Sequence, residues 1–120
     1  MDKKTLVIGA SLKSQRYSNK AIKRLTANNI AVVALGLRAG EVAGVSIDTS
    51  NMPYENINTV TLYLNPKRQV GYYNYIISLQ PERVIFNPGT ENMEFVKLLQ
   101  EHNIKSEIAC TLVLLATKQY

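Results

Sequence analysis

Apolar and polar positions follow two rhythms along this chain. Short, nearly unbroken apolar runs stand at Thr5–Ile8, Ile30–Leu35, Thr59–Leu64, Arg83–Phe86 and Ser106–Ala109. Their length and β-branched content are those of strands buried on both faces. Between them the spacing changes. Ser18, Ala21, Ile22 and Leu25 recur at three- and four-residue intervals, the inward stripe of a helix, and Asn28-Asn29 can end it in a left-handed cap. Asn65-Pro66 reads as an N-cap followed by proline at the first helical position. That helix is expected to run to Leu79, before Pro81, with Val70, Tyr73 and Ile77 inward. Asn87-Pro88-Gly89 reads as a turn, after which Thr90 is expected to cap a helix reaching His102. Residues 36–58 carry glycines and read as irregular, with a short strand at Val45–Ile47. A short apolar tail follows the last strand.

Strands alternating with helices through short loops imply right-handed crossovers and an α/β fold. The expectation is one domain over residues 1–120, a doubly wound, mainly parallel sheet in the order 3-2-1-4-5-6 with helices on both faces. Ligands of such sheets bind beyond the carboxyl ends of the strands, where the strand order reverses. That rule puts residues 9–17, 35–40, 64–67 and 87–91 on the ligand edge, and Asn28-Asn29, Pro81 and His102 on the other.

Charge sharpens this picture. The net charge is +5, but residues 1–40 hold eight Lys/Arg against the single acid Asp2, while residues 41–120 hold six bases against eight acids. The basic excess surrounds the first strand-to-helix turn, which points to an anionic ligand or partner there. No apolar run approaches the roughly 18 residues of a membrane span. The segment Met1–Lys13 has the lysines and apolar patch of a short leader, but without a small-residue cleavage site it reads as a buried strand. One cysteine, Cys110, leaves no internal disulfide, so a cytoplasmic location is expected.

The ligand-edge loops carry recognisable chemistry. Gly9 allows a tight exit from the first strand, Ala10 and Ser11 keep the turn small, and the Ser11 hydroxyl can reach a phosphate. The helix start at Tyr17-Ser18 offers free N–H groups and the positive end of its dipole, with Lys13 and Arg16 beside it. After the second strand, Leu35-Gly36-Leu37-Arg38 lacks the acid that holds the ribose hydroxyls of NAD, and Arg38 suits a phosphorylated ribose, as in NADP or coenzyme A. No catalytic constellation stands out. His102 is the only histidine, on the wrong edge, and with one Cys neither a Cys–His pair nor a zinc site can form. Glu91 reads as a first-turn acid serving a helix dipole. Lys67 and Arg68 sit in a first helical turn where cations oppose the dipole, which favours a bound anion.

Gly9-Ala10-Ser11, Arg16-Tyr17-Ser18-Asn19-Lys20-Ala21 and Phe86-Asn87-Pro88-Gly89-Thr90-Glu91-Asn92 resemble the small stand-alone CoA-binding domain proteins, which are related to the CoA-binding domain of the succinyl-CoA synthetase alpha subunit. The resemblance covers essentially the whole chain, including Gly44 and Cys110. It implies a Rossmann-like fold that binds coenzyme A, with phosphates at the Gly9–Ser11 turn and adenosine near the loop after the second strand. By position, Asn65, Pro66, Asn87, Pro88, Gly89 and Cys110 join the expected site. Where the family commonly has Asn-Pro-Lys after the second strand, this chain has Gly36-Leu37-Arg38. Three readings stay open. The first is a coenzyme A or acyl-CoA binding protein without its own catalysis. The second is an NADP- or other nucleotide-dependent enzyme subunit. The third is a protein-interaction module with a vestigial turn. No membrane or nucleic-acid partner is expected.

Overall fold

The computed structural model describes residues 3–120. Seven strands form one sheet: β1 (Thr5–Ala10), β2 (Val32–Gly36), β3 (Gly40–Val42), β4 (Val45–Asp48), β5 (Thr59–Leu62), β6 (Arg83–Phe86) and β7 (Lys105–Ile108). Their order is β3-β4-β2-β1-β5-β6-β7. Six strands are parallel and stand in the expected order; β3 is an added antiparallel edge strand on β4. The segment expected to be irregular folds into this hairpin because Ala43 and Gly44 both take positive φ, 51° and 81°, which turns the chain tightly enough to pair Val42 with Val45.

The helices are α1 (Tyr17–Ala27), α2 (Pro66–Gln69), α3 (Tyr73–Leu79), α4 (Met93–Glu101) and α5 (Thr111–Ala116). Alternation along β1 separates two cores. Leu6 and Ile8 face Ile76, Phe95 and Leu99 with Val60, Leu62, Val84 and Phe86. Val7 faces the other way, onto Ile22 and Leu25 of α1 and Leu115 of α5. Helices therefore cover both faces, and the architecture is α/β and Rossmann-like. The chain beyond β7, expected as a simple tail, is α5, placed against α1 by the burial of Leu115.

Two helix boundaries differ from the expectation. The helix after Asn65 is broken by a 3₁₀ turn at Val70–Tyr72, so the stripe shifts in phase: Val70 is exposed, Ile76 is fully buried, and Tyr73 stacks on Phe95 at 4.3 Å between ring centroids. Asn92, not Thr90, caps α4, its Oδ1 accepting from the Phe95 N–H at 3.2 Å. The Thr90 hydroxyl instead donates back to the Asn87 carbonyl at 2.7 Å. Glu91 lies ahead of the cap; its carboxylate accepts from the Gly89 N–H at 2.8 Å, and Glu94 is the acid in the first turn.

Candidate functional site

Parallel strands deliver their carboxyl ends to one edge, and there the loops after β2, β1, β5 and β6 line up in that spatial order. They enclose a cleft of about 650 Å³, within the size range of small-molecule sites. Its floor depends on two glycines. Gly9 sits in the β1 bulge at φ +93°, and a Cβ there would lie 2.9 Å from the Tyr63 carbonyl oxygen. A Cβ on Gly36 would lie 2.4 Å from the Ala10 carbonyl oxygen. Only hydrogen at these positions lets the β1, β2 and β5 loops converge.

The β1 loop supplies most of the wall. Gly9, Ala10, Ser11, Lys13, Arg16, Tyr17 and Ser18 all line the cleft, together with Leu12. The Ser11 Oγ accepts from the Lys13 N–H at 3.1 Å, which leaves its own proton free to donate. The start of α1 has no side-chain cap; Arg16 occupies that position. The Tyr17, Ser18 and Asn19 N–H groups have no acceptor among the described residues. This uncapped eleven-residue helix turns the positive end of its dipole and its free donors toward the cleft.

The β2 loop adds Gly36, Leu37 and Arg38; the β5 loop adds Tyr63, Leu64, Asn65, Arg68 and Tyr72; the β6 loop adds Pro88, Gly89 and Thr90. Lys13, Arg16, Arg38 and Arg68 thus share a wall on which no acidic residue stands. Among the described residues none of the four forms an ion pair. Four unpaired cations on one wall make the local potential positive.

Four residues expected at the site stand outside this wall. Leu35 is 2% exposed and points into the core, because one residue earlier in a strand means the opposite face. Pro66 sets the first turn of α2 from behind. Asn87 is buried: its Nδ2 donates to the Thr61 hydroxyl at 2.6 Å and the Leu62 carbonyl at 2.9 Å, and its Oδ1 accepts from the Thr111 N–H at 2.9 Å. It ties β6, β5 and α5 together and thereby places Pro88 and Gly89. Cys110 is the half-buried residue ahead of α5, beside Tyr63 rather than on the wall.

Leu12, Leu37, Leu64 and Thr90 lie on the expected ligand edge without having been singled out as site residues, Tyr63 and Tyr72 join the wall from outside it, and Arg68, whose place in a first helical turn favoured a bound anion, stands on the wall. Gln69 is the hidden organiser of the β5 and β6 loops. It is fully buried; its Nε2 donates to the Leu64 and Thr90 carbonyls, both at 2.8 Å, and its Oε1 accepts from Asn92 at 3.0 Å. A polar residue three positions past the helix-start proline, Pro66, was the available signal. Burial of the Tyr63 hydroxyl, which makes no hydrogen bond of good geometry, pushes its pKa up to about 12. His102 ends α4 on the far edge, its Nδ1 3.0 Å from the Leu98 carbonyl. Among the described residues no cluster of three His, Cys, Asp or Glu could hold a metal, and no helix is long and apolar enough to cross a membrane.

Comparison with known proteins adds to this geometry. A family model described as CoA binding domain matches residues 3–116. The crystal structure of an uncharacterized protein is 44% identical over 100% of this chain and 99% of that one, with a TM-score of 0.97. A hypothetical protein from Pyrococcus horikoshii is 28% identical over 93% of this chain and 80% of its own, with a TM-score of 0.83. A Thermus thermophilus structure shares the fold at 19% identity, covering 99% of this chain and 91% of its own, with a TM-score of 0.86. No curated protein matches.

Proposed function

Because the chain belongs to the family of CoA binding domains, we propose that it binds coenzyme A or an acyl-CoA in the cleft at the carboxyl edge of the sheet. The observation that carries this reading is the set of four unpaired cations, Lys13, Arg16, Arg38 and Arg68, on a wall without an acid. The diphosphate and 3′-phosphate of the ligand bring about four negative charges at neutral pH.

The order of the loops gives the ligand a direction. Arg38, after β2, suits the phosphorylated ribose. The uncapped α1 start with Lys13 and Arg16, after β1, suits the diphosphate. The loops after β5 and β6 then receive the pantetheine arm, between Tyr63, Tyr72 and the Pro88-Gly89 turn. With strands about 4.8 Å apart, four loops span about 15 Å, which favours a long linear ligand over a compact one. The role is binding and presentation of a small-molecule cofactor rather than catalysis, since the wall carries no histidine, cysteine or carboxylate to act as base or nucleophile.

Arg38 also favours a second reading, NADP, whose ribose phosphate makes the same demand. Calorimetric titration with CoA, acetyl-CoA, NADP and NAD separates the two. The leading reading expects CoA and acetyl-CoA to bind and NAD to fail, with the affinity falling as salt rises. Binding of NADP in place of CoA makes the second reading correct. Heat from none of the four removes the cofactor reading altogether and leaves a protein-interaction module.

A further inference from the structure

Asn19 lies in the first turn of α1 and is 2% exposed, behind the cleft wall rather than on it. Its Nδ2 donates to the Ser11 carbonyl at 2.9 Å. Its Oδ1 is buried without a hydrogen-bond partner among the described residues. A buried amide oxygen with no donor is destabilising, so stability alone does not account for an asparagine here.

The consequence lies in the peptide that this side chain holds. In a trans peptide the C=O and the following N–H point in opposite directions, and the chain has no cis bond among the described residues. The Ser11 carbonyl is drawn down onto buried Asn19. The Leu12 N–H therefore points the other way, toward the open side, where Ser11 and Leu12 line the cleft. It has no acceptor among the described residues.

We infer that Asn19 is a positioning residue for the anion site: it fixes the Ser11–Leu12 peptide so that the Leu12 N–H joins the α1 amides as a donor to the ligand's diphosphate. Asn19 does not touch the ligand. The assignment of the diphosphate rests on the proposed CoA site; the orientation of the peptide does not.

The test compares the wild-type chain with Asn19→Leu, which keeps the branch at Cγ and removes both the donor and the unpaired oxygen. Amide ¹H–¹⁵N spectra are recorded with CoA and, separately, with inorganic pyrophosphate, alongside calorimetric affinities and melting temperatures. The expected result is a downfield shift of the wild-type Leu12 amide with either probe. Asn19→Leu loses that shift, binds CoA about ten-fold more weakly, and melts no lower than wild type. A merely structural asparagine would lower the melting temperature and leave the Leu12 response intact. If Asn19→Leu does not fold, Asn19→Ser serves in the same measurements. A Leu12 amide that responds to neither probe overturns the inference, as does an Asn19 variant that binds CoA like wild type. A response to pyrophosphate without any to CoA upholds it and removes the CoA reading instead.

Discussion

The two edges of the sheet treat an arginine in opposite ways. At the amino edge, Arg83 opens β6 and is 9% exposed. Its Nε donates to the Thr59 hydroxyl at 2.9 Å, its Nη1 to Glu107 at 3.2 Å and its Nη2 to the Tyr120 main-chain oxygen at 3.2 Å. The Tyr120 ring lies 4.4 Å beneath the guanidinium. At the carboxyl edge, Arg16, Arg38 and Arg68 face a cleft with no acid on its wall. Helix starts at the carboxyl edge differ among themselves as well. Asn65 and Asn92 cap α2 and α4 with their side chains, whereas α1 is left open. A cation or helix end that the chain itself completes serves stability. One that the chain leaves incomplete, in a concave place beside others of its kind, is open to an anion.

The largest effect expected from this contrast falls at the amino edge. Arg83→Met removes three hydrogen bonds and leaves the half-buried Glu107 with only Lys105, 3.9 Å away, as an ion-pair partner. It should cost about 3 kcal/mol and lower the melting temperature by roughly 10 °C, while CoA affinity measured calorimetrically below the transition stays at the wild-type value. Lost affinity alongside lost stability would break the separation of the two edges.

Gly36→Ala crosses that separation by design. Its Cβ meets backbone at 2.4 Å, so the β1 or β2 loop must shift. Urea titration should show a loss of about 2 kcal/mol, and the displaced loop should weaken CoA binding as well. A variant stable and fully active in binding would mean that the loops converge with slack.

Arg16→Ala and Arg38→Ala should each leave the free protein within about 0.5 kcal/mol of wild type, because neither side chain has a protein partner to lose. Each should weaken CoA binding by about 1–2 kcal/mol and flatten its salt dependence. Unchanged affinity in both would mean the anion sits elsewhere.

The smallest effect is the response to alkali. Tyr54, Tyr63, Tyr73, Tyr75 and Tyr120 all have raised pKa values, in each case first through burial. A raised phenol holds its proton more tightly in the folded state than in the unfolded chain, where it titrates near 10. The stability this contributes is whole below pH 10 and is lost as pH rises, for Tyr63 until about 12. Melting temperatures should be level up to about pH 9.5 and decline above it, and Tyr63→Phe should decline less steeply. An equal decline in the variant would place the sensitivity in the other four tyrosines.

Much of the fold was legible because it is local. Runs of buried strand residues and the stripe Ser18, Ala21, Ile22, Leu25 report their own periodicity, and the alternation of the two kinds of element compels a parallel sheet. Twelve of the expected site residues reach the cleft wall for the same reason: in such a sheet the loops at one edge are known once the strands are. Errors arose where a neighbour far along the chain decides. Tyr72 reaches the cleft because a 3₁₀ turn at Val70–Tyr72 changes the phase of the helix, and no residue in that stretch announces it. Leu35 and Asn87 are turned inward by the sheet and by α5, although both stand at the right edge in the chain.

By itself the sequence determined the types of the alternating elements from β1 to β7 other than β3, the order of the parallel strands, the basic character of the first turn and the lack of an acid after β2. These follow from spacing and charge, which act over a few residues. The tertiary structure alone decided that β3 folds back on β4, that α5 returns to α1, and that Gln69 and Asn87 hold loops instead of ligand. It also decided that Arg68 shares a wall with Arg38, thirty residues away in the chain. Those outcomes depend on which distant groups satisfy a buried polar atom or fill a face, and that is settled only when the layers close.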